Sequence, residues 1–181
     1  MSSDPESSLR HRRHAEWIIR WPEPPLRIVL VEPEIPPNTG TIARLCAATG
    51  TPLHLIEPLG FQLTDRALKR AGLDYWESVE LHRHTRYSAF EEAYPAGQRF
   101  LFSTGGARPY TEAVFQPGDV LVFGPESRGL PDELLSAHPQ QVLGIPMRRN
   151  QVRSLNLATA VAIALFEALR QVTASGPPAD G

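Results

Sequence analysis

Short apolar runs recur through the middle of the chain, each bounded by turn-forming residues: Ile28-Val29-Leu30-Val31, Leu53-His54-Leu55-Ile56, Phe100-Leu101-Phe102, Val120-Leu121-Val122-Phe123 and Val142-Leu143-Gly144-Ile145. Each is apolar at both parities. A strand with one wet face alternates, whereas a strand covered on both faces does not, so the pattern predicts buried strands of a parallel sheet. Helix-like stretches fall between the runs. The stretch 39–49 ends at Gly50, a C-terminal stop, with Asn38 or Thr39 placed to cap its start. The stretch 64–71 opens on Thr64-Asp65 and stops at Gly72, 88–93 stops ahead of Pro95, and 131–137 begins with a first-turn proline. The last, 154–172, carries Leu155, Ala158, Ala162, Leu165 and Leu169 as one stripe, which Leu157, Val161, Ala164 and Ala168 widen. Ser154 is placed to cap it. A helix this apolar needs cover on more than one side, from a core or from a second copy of the chain. Strand alternating with helix predicts an α/β domain, a mainly parallel sheet flanked by helices.

The folded part is expected over 26–172. Residues 1–25 read as a tail rich in Ser, Pro, Glu and Arg, with a basic run Arg10-His11-Arg12-Arg13-His14, and 173–181 as a short second tail of small residues and proline. The segment 1–8 is polar and acidic with no apolar core, unlike a signal peptide. No apolar run approaches the ~20 residues that a membrane helix needs. The expected location is therefore the cytoplasm.

Composition narrows the chemistry. The 181 residues carry 18 basic and 20 acidic side chains, a net charge of −2, which excludes a polybasic protein held to nucleic acid by bulk charge. All the basic residues but Lys69 are arginine, the planar fork suited to phosphate. A single cysteine, Cys46, excludes a disulfide framework and a Cys-rich zinc site. His82 and His84 read as a surface pair, and no H-E-x-x-H or G-x-G-x-x-G is present. The run Gly124 to Gly129 has the outer spacing of a P-loop, but Leu130-Pro131 stands where Lys-Ser/Thr belongs, which removes a nucleotide hydrolase.

Three loops that follow predicted strands, where ligands gather in open α/β sheets, are richer in special residues than plain connectors. The first runs from Pro33 to Arg44; prolines stiffen it, Gly40 permits close backbone approach, and Arg44 stands four residues further along the helix. The second, Phe123 to Pro131, presents Glu126, Ser127 and Arg128 between glycines and prolines. The third runs from Ile145-Pro146-Met147 to Ser154-Leu155-Asn156-Leu157. Arg148, Arg149 and Arg153 lie in it, within a stretch (134–166) that holds no acidic residue, and form the best phosphate-facing patch of the chain.

Taken together and in this order, the three loops resemble motifs 1, 2 and 3 of the SPOUT class of S-adenosylmethionine-dependent RNA methyltransferases. Asn38-Thr39-Gly40-Thr41-Ile42-Ala43-Arg44 resembles the first, 123–130 the second, and Ile145-Pro146-Met147 with Ser154-Leu155-Asn156-Leu157 the third. Glu32-Pro33-Glu34-Ile35-Pro36-Pro37-Asn38-Thr39-Gly40 and Arg70-Ala71-Gly72-Leu73-Asp74-Tyr75 are similar to the branch of that class that methylates the wobble (position 34) ribose of certain leucine tRNAs.

The resemblance implies a homodimer, a C-terminal trefoil knot that nothing in the periodicity suggests, and 2′-O-methylation of tRNA. A ribose 2′-oxygen would attack the methyl carbon of S-adenosyl-L-methionine in line with its bond to the sulfonium sulfur, which would leave as the neutral thioether S-adenosyl-L-homocysteine, without a metal. It implies cofactor contacts from Phe102, Ser103, Thr104, Gly124, Ile145, Met147, Ser154 and Leu155. Arg44, Asn38, Glu126, Ser154 and Asn156 would surround the transferred methyl, with RNA contacts from Arg148, Arg149 and Arg153. An arginine with a pKa above about 12 is a poor base, so Arg44 is expected to orient the ribose through the adjacent phosphate while another group or water takes the proton. Glu126 would anchor Arg44 or an arginine of a second subunit. The chain departs from the branch in its N-terminal tail, in one extra residue within 148–152, and in Phe166 where a tyrosine is usual. The alternatives are a methyltransferase of the same class acting on another tRNA or rRNA ribose, and an RNA-binding factor that does not catalyse.

Overall fold

A computed structural model describes residues 19–61, 78–148 and 151–175. Its centre is a seven-stranded sheet built from β2 (Arg27–Val31), β3 (Leu53–Ile56), β4 (Leu81–His84), β5 (Arg99–Phe102), β6 (Arg108–Pro109), β7 (Val120–Phe123) and β8 (Val142–Gly144). The order is β4-β3-β2-β7-β5-β8-β6, and every neighbouring pair is parallel. Two further short strands, β1 (Ile19–Arg20) and β9 (Ala174–Ser175), pair antiparallel and join segments expected to lie in the two tails. The predicted helix 64–71 and the Arg70 to Tyr75 motif lie outside the described residues.

The doubly apolar runs have the cause inferred for them. One parity, including Ile28, Leu30, Leu53, Leu55, Phe100, Phe102, Leu121, Phe123 and Leu143, packs against α1 (Pro36–Thr49) and α4 (Leu157–Val172). The other, including Val29, Val31, Ile56, Leu101, Val120 and Val122, packs with Phe90 of α2 (Tyr87–Ala93) and with Leu134 and Leu135 of α3 (Asp132–Ala137). Helices on both sides leave the central strands no wet face. Among the described residues no helix is long and apolar enough to cross a membrane.

Several expectations need correction. Helix α1 starts at Pro36, so Asn38 and Thr39 lie inside its first turn and cap nothing; Ile35 holds the N-cap position without a side-chain bond. Pro36 and Pro37 lack N–H groups, which removes two of the donors a cap would serve. Helix α4 starts at Leu157 and its cap is Asn156, whose side chain accepts from Ala158 and Thr159 N–H; Ser154 lies outside the helix. Its buried stripe is Ala158, Val161, Ala164, Leu165, Ala168 and Leu169, with Ala162 only half-buried. Pro131 is the N-cap residue of α3 rather than a first-turn proline.

His82 and His84 are half-buried rather than fully exposed. They lie on β4 beside fully buried His54 of β3: the His82 ring stacks on His54 at 4.7 Å, and His84 Nε2 shares a hydrogen bond with His54 Nδ1 at 3.1 Å.

At the other side of the sheet, β8 lies between β5 and β6, and residues 103–107 arch across it from one neighbour to the other. Ser103 N–H donates to Leu143 O at 3.0 Å beneath the arch. The approach is close enough to require glycine on both sides: a Cβ on Gly106 would lie 2.4 Å from the Leu143 carbonyl carbon, and one on Gly144 would lie 2.5 Å from Gly106 O. Neither overlap is tolerable for backbone atoms.

Candidate active site

The loops leaving the C-terminal ends of β2, β5, β7 and β8 surround one cavity of about 590 Å³. This is the position at which open α/β sheets hold ligands. Phe102, Ser103 and Thr104 line it from the start of the arch, Gly124 to Leu130 from the loop after β7, and Ile145, Met147 and residues 153–157 from the segment before α4. Every residue expected to touch a cofactor is therefore on the wall of the same cavity. Asn38, Glu126, Ser154 and Asn156 join them there, as does Arg153. Arg44 and Arg148 do not line it; both are exposed, Arg44 on α1. Arg149 lies outside the described residues.

A directed hydrogen-bond relay connects the three loops. It starts at the backbone: Asn156 Oδ1 accepts the Ala158 N–H at 2.9 Å and the Thr159 N–H at 3.3 Å as the cap of α4. That leaves Asn156 Nδ2 to donate to Asn38 Oδ1 at 2.9 Å. Asn38 Nδ2 then donates to Glu126 Oε1 at 2.9 Å. Each amide has one donor end and one acceptor end, so the helix cap sets the polarity of the whole relay. Glu126 takes two more donors, the Glu34 N–H on Oε2 at 2.8 Å and the Ile35 N–H on Oε1 at 3.2 Å. These two bonds tie it to the first loop itself.

Four residues around this relay have no role assigned by the sequence. Glu34 accepts the Ser127 N–H at 2.9 Å and the Ser127 hydroxyl at 2.7 Å, and Glu32 forms an ion pair with Arg128. Ser127 and Arg128 stand out at the loop tip, but their acidic partners lie more than ninety positions away. Glu32 has φ 48°, a left-handed conformation uncommon outside glycine, and such strain persists where surrounding contacts hold it. The Ser127 hydrogen bonds hold the Glu34 carboxyl below the usual carboxylate range, with the Arg128 charge adding to the effect. Cys46 is no nucleophile: burial on the core side of α1 pushes its thiol up to about 12.

The wall suits an adenosine bearing a charged amino-acid chain. Leu130, Ile145 and Leu155 offer apolar surface for a base, and Ser103, Thr104 and Ser127 offer hydroxyls. Glu126, Asp132, Arg128 and Arg153 supply both signs of charge for a sulfonium, an ammonium and a carboxylate. The size falls within the ~300–1,000 Å³ typical of small-molecule sites. The loop after β7 folds so tightly that a Cβ on Gly124 would lie 2.3 Å from the Gly129 carbonyl carbon, which keeps a backbone wall at that point. Among the described residues no group of three or more His, Cys, Asp or Glu side chains is placed to hold a metal ion.

The profile of the SpoU rRNA Methylase family matches residues 25–166. The tRNA (cytidine(34)-2′-O)-methyltransferase of Aeromonas hydrophila is 52% identical over 152 residues, 83% of this chain and 97% of that protein. A structure solved for insights into the 2-OH methylation of C/U34 on tRNA is 54% identical, with a TM-score of 0.75 over 81% of this chain and 95% of that one. An AdoMet-bound rRNA methyltransferase from Sinorhizobium meliloti is 28% identical, with a TM-score of 0.67 over 80% of this chain and 56% of its own.

Proposed function

The chain belongs to the SpoU rRNA Methylase family, and from that premise we propose that it is an S-adenosylmethionine-dependent 2′-O-methyltransferase of nucleotide 34 of tRNA. Leucine tRNAs, as the sequence resemblance implies, are the expected substrates. The observation that carries the reading is the convergence of all three motif loops on one cavity, joined across it by the Asn156–Asn38–Glu126 relay. The names of the relatives supply the position on the RNA.

Bound S-adenosylmethionine supplies an electrophilic methyl group. Phe102, Ser103, Thr104, Gly124, Ile145, Met147 and Leu155 would hold it. Asn38, Glu126 and Asn156 keep the polar edge of the cavity in one geometry, so that a ribose hydroxyl is met by groups already oriented. Ser154 stands at the same edge with its hydroxyl available to that ribose. Arg44 binds the phosphate beside it, and Arg148, Arg149 and Arg153 hold the flanking backbone. Since Arg44 does not line the cavity of its own protomer, a homodimer that brings it to the cavity of the second copy completes the site. The side chain of Phe166, 56% exposed on α4, is consistent with such a contact. The arch over β8 is the place where the trefoil knot implied by the family would be tied. A cytoplasmic location fits this reading.

The test is methyl transfer from labelled S-adenosylmethionine to unmodified total tRNA, with the product nucleoside mapped by mass spectrometry. Label on ribose 34 of leucine tRNAs is the expected result. Label on a different ribose keeps the chemistry and removes the assigned position, while absence of both label and cofactor binding leaves an RNA-binding factor. In the same assay Arg44→Ala is expected to lower turnover by about 100-fold or more, the scale of losing one transition-state contact, with cofactor affinity unchanged. Wild-type turnover would remove Arg44 from the mechanism.

A further inference from the structure

The loop after β2 and the loop after β7 hold each other by reciprocal bonds. Glu34 gives its backbone N–H to the carboxylate of Glu126, and its own carboxylate takes both the N–H and the hydroxyl of Ser127, the next residue. Backbone and side chain thus exchange roles across one pair of chain segments, so neither loop can shift along the other without breaking all three bonds. The Glu32–Arg128 pair repeats the pattern one step further out, from a residue held at positive φ. Behind the first loop, Gly60 N–H donates to Pro33 O at 2.9 Å, and a Cβ on Gly60 would lie 2.8 Å from the Glu34 Cα, so a third segment backs the clasp. Both carboxylates reach outward and bond to the other loop.

We propose that Glu34 is a positioning residue of the methyl-transfer site: through Ser127 it fixes the loop that carries Glu126, and so keeps the Glu126 carboxylate in register with Asn38. The proposal rests on the methyltransferase reading for its kinetic consequence, though not for its structural one. Asn38 is buried and cannot follow a displaced Glu126, because its other end is already committed to Asn156. Loss of the clasp therefore reaches the relay without touching any of its members.

The experiment compares Glu34→Ala, Glu34→Gln and Ser127→Ala with the wild-type chain by amide hydrogen exchange, by calorimetry with S-adenosylmethionine and by steady-state kinetics on tRNA. In Glu34→Ala the amides of residues 34, 35 and 127 are expected to exchange about tenfold faster, the scale of one lost hydrogen bond, while those of β7 keep their rates. Turnover falls, cofactor affinity weakens, and KM for tRNA does not change. A general loss of folded protein would lower all parameters together and would speed exchange in β7 as well.

Glutamine retains an acceptor for the Ser127 N–H and gives the rotatable hydroxyl a donor, so Glu34→Gln is expected to restore most of the activity. Ser127→Ala removes one bond and gives a smaller effect in the same direction, which serves if Glu34→Ala does not fold. Wild-type exchange at residue 127 in Glu34→Ala, or wild-type turnover and cofactor affinity, would overturn the proposal. If the wild-type chain transfers no methyl group, the proposed function falls, and exchange with calorimetry still decides the clasp.

Discussion

Asn156→Asp is expected to fold as well as the wild type and to lose about 100-fold in turnover, the scale of a small misplacement of reacting groups. The side chain at 156 performs two tasks with its two ends. As the cap of α4 it accepts two backbone N–H groups, and aspartate does this as well as asparagine. As the start of the relay it donates to Asn38 Oδ1, which aspartate cannot do.

Turning the Asn38 amide over does not repair the fault, because its oxygen would then face Glu126 Oε1, now 2.9 Å from the nitrogen. The mismatch only moves along the relay. Adding Glu126→Gln to Asn156→Asp lets the reversed polarity continue through a donor at 126, and part of the order should return. Recovery stays incomplete, because that donor also meets the Ile35 N–H that Glu126 accepts at 3.2 Å. Asn156→Ala gives the contrasting result: it loses the relay and also about 1 kcal/mol of helix capping, a fall in Tm of roughly 2–4 °C in a chain of this size. Equal turnover in Asn156→Asp and wild type would exclude the relay from catalysis.

The second large effect concerns stability in acid. His54 is fully buried on the α2 side of the sheet, with Phe90 and Tyr94 edge-on at 5.0 and 4.6 Å and Arg27 lying over the Tyr94 ring. Burial lowers its pKa from 6.5 to about 3, and the neighbouring His82, His84 and Arg27 add to the shift. Burial also lowers that of His84. A histidine kept neutral in the folded state contributes stability that is complete above its unfolded pKa of 6.5. That contribution is lost as pH falls from there toward 3, because the unfolded chain takes up a proton that the folded chain refuses.

Each such proton is worth about 1.4 kcal/mol per pH unit. Urea unfolding between pH 7.5 and 4 is expected to show this decline, and His54→Leu should flatten it, leaving the smaller share of His84. Leucine also removes the buried Nε2 that has no hydrogen-bond partner. A His54→Leu protein with the wild-type slope would show that some other group governs the acid response.

How much of this was legible in the sequence follows from what carries each feature. The five doubly apolar runs are local, and all five are strands of the sheet. Strand β4 carries no such signal, because Leu81-His82-Arg83-His84 reads as polar; its two histidines are accommodated by the buried third one on β3, thirty residues earlier. Strand β6 holds only Arg108 and Pro109 and has no pattern to read. At helix starts the usual cap residues misled: Thr39 and Ser154 are good caps by type, yet two prolines serve α1 and the cap of α4 falls two positions beyond Ser154.

The members of the site were recognisable from their motifs, but their partners were not. Asn38 meets Glu126 across 88 positions and Asn156 across 118, so the register of the sheet, not the spacing in the chain, decides who bonds to whom.

The arch over β8 bears on how the molecule survives as well as on how it is built. A strand made late in synthesis ordinarily joins the edge of a sheet; β8 occupies an interior slot whose two flanks are already tied together by 103–107. Part of the cavity wall comes from the arch and part from the chain that leaves β8, so before insertion the cavity is incomplete and a ligand finds only part of its contacts. Such a ligand favours the finished topology, and mass action stabilises that state by about 2.7 kcal/mol at a hundred times Kd when the unfinished one does not bind. Because the contacts from the chain that leaves β8 are absent from any half-threaded chain, they act on the rate of escape rather than the rate of formation. A saturated site works as a latch: it keeps the inserted strand in place while doing little to help it in.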